Sequence, residues 1–299
     1  MQGKMAIKYV LGVVLVIGLA LAGWQDSAFS RQGETTLQRI QREGFIRVAL
    51  HNEVPFAYID STGILTGTEG EIVKIIAREL GIAEVDPVVF TWEGLIPGLV
   101  AGRFDIVGAG MAIRPSRCQV VNFTDPTNGI GAAMVVKKGN PQNIHGYEAF
   151  IENPDLRLGV VLGSGEQEVA RQIGVPDNQV ITFPGIGELQ SSLGTGLVDA
   201  WVLTSLNVQR YLDTVQPADE ERAAPFTQPL INGKLQIFYG GFTVRKEDED
   251  LRQAFNQVIA QIKADGRLLE AVRPFGMTAE DIPPTVPELS ADALCAAAG

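Results

Sequence analysis

The chain is short of the residues that most catalytic chemistry uses. Its 299 residues include two histidines and two cysteines. No group of them has zinc-ligand spacing, and the sequence holds neither a nucleophile elbow nor a phosphate-binding loop. It has no low-complexity tract and no repeat at solenoid periods. Positive charge is also scarce: 24 Lys and Arg stand against 35 Asp and Glu, a net charge of −11. Neutralising phosphates takes a basic surface, so this balance excludes a nucleic-acid partner. The charge suits a soluble, freely diffusing protein.

What is present begins with a leader. Lys4 and Lys8 supply a positive start, and residues 9–22 form an apolar stretch. That stretch is short for a membrane span and right for a signal peptide's hydrophobic region. Ala28-Phe29-Ser30 offers small residues for cleavage before Arg31. Residues 1–30 therefore read as a signal peptide, with an uncleaved anchor as the rival reading. Leu21-Ala22-Gly23 resembles a lipobox, but Trp24 stands where the lipidated cysteine would be, so lipidation is not expected. Both readings place the protein outside the cytoplasm, in the periplasm. Export permits a disulfide between Cys118 and Cys295, which would pin the C-terminal tail to the body.

The remaining length suits two lobes of ordinary domain size. From Thr36 on, strands and helices alternate. A polar helix over Thr36–Glu43 precedes a strand at Phe45–Leu50. Thr68 with Glu71 three residues later reads as a capping box before Ile72, Ile75, Ile76 and Leu80. A strand is expected at 88–91, a helix through Leu95, Ile96, Leu99 and Val100, and a short strand at 105–109. Strands at 158–162, 180–183 and 198–203 follow, with helices between. Leu251, Phe255, Val258, Ile259 and Ile262 make a core-facing helical stripe. Such βα alternation points to open α/β sheets. Two extended segments, 131–138 and 235–244, flank the middle section as crossovers. The expected organisation is a first lobe at 31–134, a second at 135–237, a return to the first at 238–276, and an extended tail at 277–299. Two crossovers would act as a hinge for closure around a ligand.

Several runs carry a family resemblance. Gly94-Leu95-Ile96-Pro97-Gly98-Leu99 with Gly102-Arg103-Phe104-Asp105-Ile106 is one, and Arg117 followed by Val121-Asn122-Phe123-Thr124-Asp125-Pro126 is another. Ala264-Asp265-Gly266-Arg267-Leu268-Leu269 and Pro274-Phe275-Gly276 complete the set. In order and spacing, from about Thr36 to Gly276, they resemble the family 3 solute-binding proteins of polar amino-acid ABC importers. The resemblance implies the two-lobed α/β periplasmic-binding-protein type II fold: open sheets with helices on both faces, joined by two crossover strands. It also implies a small zwitterionic ligand, an ABC permease as partner, a monomer, and no cofactor or metal. Asn52-Glu53-Val54-Pro55-Phe56, Gly110-Met111, Pro115-Ser116-Arg117-Cys118, Lys137-Lys138-Gly139-Asn140-Pro141 and Cys295 are most similar to the ectoine and hydroxyectoine binders.

The resemblance assigns Arg117 to the ligand carboxylate, which a guanidinium grips with two parallel hydrogen bonds. Taken alone, Arg117 reads rather as a surface ion-pair or helix-start residue, since most arginines are solvated. Ser164 lies between glycines after a strand and before a helix, where free N–H groups favour an anion; an ordinary N-cap explains it too. Phe56 and Trp92 resemble ligand-stacking aromatics, which attract a delocalised cation; core packing is the plain alternative. Glu53 and Glu166 are candidates for the positive end, although Glu166 also suits a helix's first turn. Gly110 and Met111 belong to the same motif.

Three departures from the pattern stand out. Ala112 replaces a third aromatic, so one wall of the cage should be missing. Arg114 stands where the family often has Thr and adds a cation. Thr204 occupies the place where amino-acid binders carry an aspartate for the α-amino group, while Asp199 reads as structural. An alternative reading is a periplasmic dehydratase for a prephenate-like acid on the same scaffold. It would need an acid/base pair from His51, His145, Glu53 and Glu166.

Overall fold

A computed structural model of the chain describes residues 33–297. The expected leader, residues 1–30, lies outside the described residues. Among the described residues no helix is long and apolar enough to cross a membrane.

The first lobe starts with helix Thr36–Glu43. The Thr35 hydroxyl accepts from the Gln38 N–H while the Gln38 side chain accepts from the Thr35 N–H. Strand Phe45–Leu50 then enters a five-stranded sheet, ordered Glu84–Val89, Phe45–Leu50, Ile106–Val107, Thr243–Val244, Asn122–Phe123. The first three strands are parallel; Thr243–Val244 runs antiparallel to both its neighbours. The strand expected at 88–91 begins earlier, at Glu84. It is an edge strand, where Pro87 leaves no central ladder bond unmade.

The capping box expected at Thr68 and Glu71 does not form. Helix Thr68–Glu79 is capped by Gly67 at φ +100, and a Cβ there would lie 2.4 Å from the Phe56 carbonyl oxygen. Thr68 is already helical, and Glu71 accepts instead from the Thr66 hydroxyl and from Lys74. The expected apolar face is real: Ile72 and Ile76 are buried, with Ile75 and Leu80 packed beside them. Helix Glu249–Ala264 buries Leu251, Phe255, Val258, Ile259 and Ile262 against the same core. Burying each of these side chains contributes about 1.5–3 kcal/mol.

The second lobe repeats the layout. Its sheet runs Val180–Phe183, Leu158–Val161, Ala200–Thr204, Ala132–Lys137, Glu220–Arg222. Again the first three are parallel and the fourth is antiparallel to both neighbours. Both faces of this sheet are covered. Ala132, Met134 and Val136 join one core cluster, and Ala133 and Val135 join the other. The period of two explains why this strand is apolar throughout.

The passage between lobes lies earlier than the sequence suggested. An antiparallel pair, Asn128–Ile130 with Phe238–Gly240, sits between the sheets, with Phe238 opposite Ile130 and Gly240 opposite Asn128. The boundary expected after residue 134 falls inside strand Ala132–Lys137, which pairs wholly within the second sheet. Extended crossover and extended sheet strand look alike in sequence; only Gly131 separates them here.

The tail is not extended. It makes short turns at Ala279–Asp281 and Pro287–Leu289 and ends in helix Ala291–Ala296. Ala291 is buried in the first lobe, and Cys295 is bonded to Cys118 with their Cα atoms 5.7 Å apart.

Candidate functional site

The lobes face each other across a cavity of about 50 Å³. Glu53, Phe56, Trp92, Gly110, Ala112 and Arg117 line it from the first lobe. Ser164, Glu166 and Thr204 line it from the second. It adjoins an outer cleft of about 790 Å³ that shares Trp92, Arg117 and Ser164. Met111 departs from expectation: it is buried in the first-lobe core and borders only the outer cleft.

Local geometry explains these positions. Phe56 lies within a tight turn closed by two backbone bonds between Glu53 and Ala57. Its ring lies so close to Gly110, which has φ +62, that a Cβ there would sit 2.7 Å from the ring. Glycine at 110 therefore places the aromatic wall. Trp92 opens a short turn at a strand end. His51 braces it edge-on, with ring centres 5.8 Å apart, and His51 Nδ1 lies 3.2 Å from the Phe90 carbonyl oxygen. His145 contacts the Pro225 carbonyl and the Asn143 side chain. Neither histidine lines the cavity, so no histidine joins Glu53 and Glu166 there.

Arg117 comes from the four-residue helix Pro115–Cys118. Its guanidinium donates to the Ala112 carbonyl at 2.8 Å and to the Gly163 carbonyl at 3.0 Å, and lies 5.7 Å from the Trp92 ring centre. Both bonds are to neutral carbonyls, and no carboxylate among the described residues hydrogen-bonds the cation. Burial, and the neighbouring Arg114 charge, lower its pKa to about 10. Arg114 is buried with its guanidinium 5.0 Å from the Phe238 ring centre, and its Nη2 has no partner among the described residues.

Ser164 caps helix Gly165–Ile173 by accepting from the Gln167 N–H. The same residue borders the cavity, so cap and lining roles coexist. Thr204 caps helix Ser205–Val215, and its hydroxyl also bonds the Asn207 side chain at 2.5 Å. Glu53 and Glu166 face the cavity from opposite lobes. Burial, reinforced by the charge of Glu166, pushes Glu53 up to about 8. Burial also raises Glu166, opposed by its own backbone N–H and then by Arg114 and Arg117. Two desolvated carboxylates in one small space favour a cation between them.

Asn207 and Phe238 are lining residues that the sequence did not assign to the site. Asn207 is buried, borders the cavity and donates to the Val54 carbonyl of the other lobe at 2.9 Å. Phe238, from the hinge strand, lines the cavity and packs in one cluster with Ala112. An aromatic from a distant segment thus lies on the same side of the cavity lining as Ala112, in one packed cluster with it. An asparagine in a helix's first turn and a phenylalanine in an extended strand carry no local signal of this.

Two similar open α/β lobes, a two-strand connection and a charged, aromatic cavity between them are the architecture of a protein that binds a small polar molecule between its lobes. The profile of bacterial extracellular solute-binding proteins, family 3, matches residues 46–277. The chain belongs to that family. It is accordingly an extracytoplasmic, non-catalytic binding component of an ABC importer, partnered by a permease and a small polar ligand. It is 33% identical over 266 residues to a probable amino-acid ABC transporter periplasmic-binding protein, y4tE, of Sinorhizobium fredii, covering 88% of this chain and 87% of that one. It is 28% identical over 272 residues to the L-cystine-binding protein TcyJ of Escherichia coli, covering 89% and 92%. The crystal structure of EhuB in complex with hydroxyectoine is similar at a TM-score of 0.78 and 30% identity, covering 88% of this chain and 98% of that one.

Proposed function

We propose that the protein captures a compact zwitterion, ectoine or hydroxyectoine or a polar amino acid, and delivers it to the permease by hinged closure. It does so as a monomer after removal of residues 1–30, without a lipid at the lipobox-like site. Arg117 grips the ligand carboxylate, with Ser164 and the start of helix Gly165–Ile173 completing the anion end. Glu53 and Glu166 take the positive end, and Phe56, Trp92 and Phe238 stack on it. Gly110 and Ala112 shape the floor, and Thr204 with Asn207 closes the second-lobe side.

The observation that carries this reading is the presence of both signs of charge in one cavity. A guanidinium that donates to two backbone carbonyls and two carboxylates raised by burial line the same small space, with Glu166 near enough to feel Arg114 and Arg117. A molecule with separated charges satisfies both. The similarity to the hydroxyectoine-bound EhuB favours a delocalised cation, and Thr204 in place of an aspartate disfavours an ordinary α-amino group. A thermal-shift screen of ectoine, hydroxyectoine, betaines, L-cystine and the standard amino acids tests it, because a ligand that binds only the folded state raises the melting point. A shift with zwitterions is expected. Shifts confined to sugars or to neutral solutes in a wider screen count against it.

A further inference from the structure

We propose that the C-terminal tail is a positioning element for Arg117, a reading that rests on Arg117 as the ligand-gripping residue. Arg117 stands on helix Pro115–Cys118, a single turn with no side-chain cap. One turn does not hold itself in water, because nucleation fixes several dihedrals for one bond. Something outside the turn must therefore fix the direction in which the guanidinium points.

The tail supplies that support at the residue next to Arg117. Cys118 is bonded to Cys295 of helix Ala291–Ala296, 177 residues away in sequence. The tail helix is in turn anchored to the first lobe. The Ala291 N–H donates to Asp125 at 2.9 Å, Asp292 lies 3.2 Å from Arg252, and Ala291 is buried in the core cluster that holds Met111, Ile113 and Phe123. On the other side, Lys246 donates to the Cys118 carbonyl at 2.5 Å and to Asn122 at 2.8 Å. The turn is thus clamped between the tail and Lys246. From the turn, Arg117 reaches the Ala112 carbonyl of its own lobe and the Gly163 carbonyl of the other. In this arrangement the bridge does more than fasten a loose end. It sets the aim of the side chain that reaches across the cleft.

The test uses the purified protein with Cys118→Ser and Cys295→Ser together. Hydrogen exchange by mass spectrometry follows residues 114–121, where the Cys118 and Val121 N–H groups bond to the Arg114 and Arg117 carbonyls. Strand Leu158–Val161 serves as the internal reference. Exchange at least tenfold faster over 114–121, with the reference unchanged, is expected. Calorimetry and stopped-flow with the tightest binder among ectoine, hydroxyectoine, L-cystine and the standard amino acids should show affinity reduced at least tenfold, through faster dissociation. If the double variant does not fold, phosphine reduction of the folded protein opens the bridge and is read the same way. Unchanged exchange over 114–121 overturns the proposal. So does unchanged affinity where Arg117→Ala abolishes binding. Wild-type affinity in Arg117→Ala overturns the site reading itself, and the positioning role with it.

Discussion

The indole N–H of Trp92, in the first lobe, donates to the carbonyl of Gly163, in the second, at 3.2 Å. Arg117 donates to the same oxygen at 3.0 Å. One peptide carbonyl thus receives two donors from the opposite lobe, and the closed arrangement is held at the edge of the cavity. Trp92→Phe keeps most of the ring and removes the donor. A hydrogen bond of this kind contributes about 0.5–1.5 kcal/mol net. Calorimetry should therefore show affinity lowered about two- to tenfold, and small-angle scattering should show weaker compaction on binding. Unchanged affinity would mean that the indole bond adds nothing to closure.

Arg117→Ala removes the carboxylate grip and one of the two donors to Gly163. Truncating one partner of a buried charge pair costs roughly 2–5 kcal/mol. Binding should fall below detection in ordinary calorimetry while the far-ultraviolet circular dichroism stays that of the parent. Arg117→Lys should recover only part of the loss, since an ammonium lacks the planar fork.

Binding should depend on pH through Glu53. Its pKa is raised to about 8, first by burial and then by Glu166. A bound cation favours the ionised carboxylate, so below that value binding must expel a proton. Affinity should rise with pH up to about 8 and level off above it. Calorimetry near neutral pH in two buffers of different ionisation enthalpy should reveal proton release. Glu53→Gln should abolish the release and weaken binding of a cationic group at all pH values. A pH-independent affinity in the parent protein would contradict the role given to Glu53.

Stability should carry a separate pH signature from Glu69. This carboxyl is 1% exposed; one oxygen accepts from Thr127 and Asn128, and the other has no partner among the described residues. Burial raises its pKa to about 7, against the two hydrogen bonds, from an ordinary value of 4.5. The folded state therefore holds this proton more tightly than the unfolded chain. Its contribution is fully present below the ordinary value and is lost as pH rises through about 7. The loss is on the order of 3 kcal/mol. Urea melts from pH 5 to 8 should show the decline, and Glu69→Gln should flatten it. An equal slope in both proteins would remove Glu69 as the cause.

The legible part of the site was the part written in contiguous motifs. Arg117, Ser164, Phe56, Trp92, Glu53 and Glu166 each sit in a short run whose neighbours, glycines and helix starts, mark their position, and the structure brings all six to one cavity. Asn207 and Phe238 were not legible, because their importance comes from where a helix and a hinge strand meet the opposite lobe. The fold's βα order was readable from periodicity. Its turning points were less so. Gly67 took the capping place read for Thr68 because only a residue without Cβ fits against the Phe56 carbonyl. The tail looked extended because its prolines break helices, while its folding onto the first lobe depends on a cysteine 177 residues away.

Phe238 belongs to the strand pair that joins the lobes, and its ring is also a wall of the cavity. One residue thus belongs both to the cavity lining and to the connection between the lobes. If closure bends this pair, as proposed, a molecule that fills the cavity presses directly on the backbone that sets the angle between the lobes, with no relay of intermediate side chains. Volume changes at position 238 should then alter how far the empty protein stands open as well as what it holds, so selectivity and motion cannot be tuned independently there.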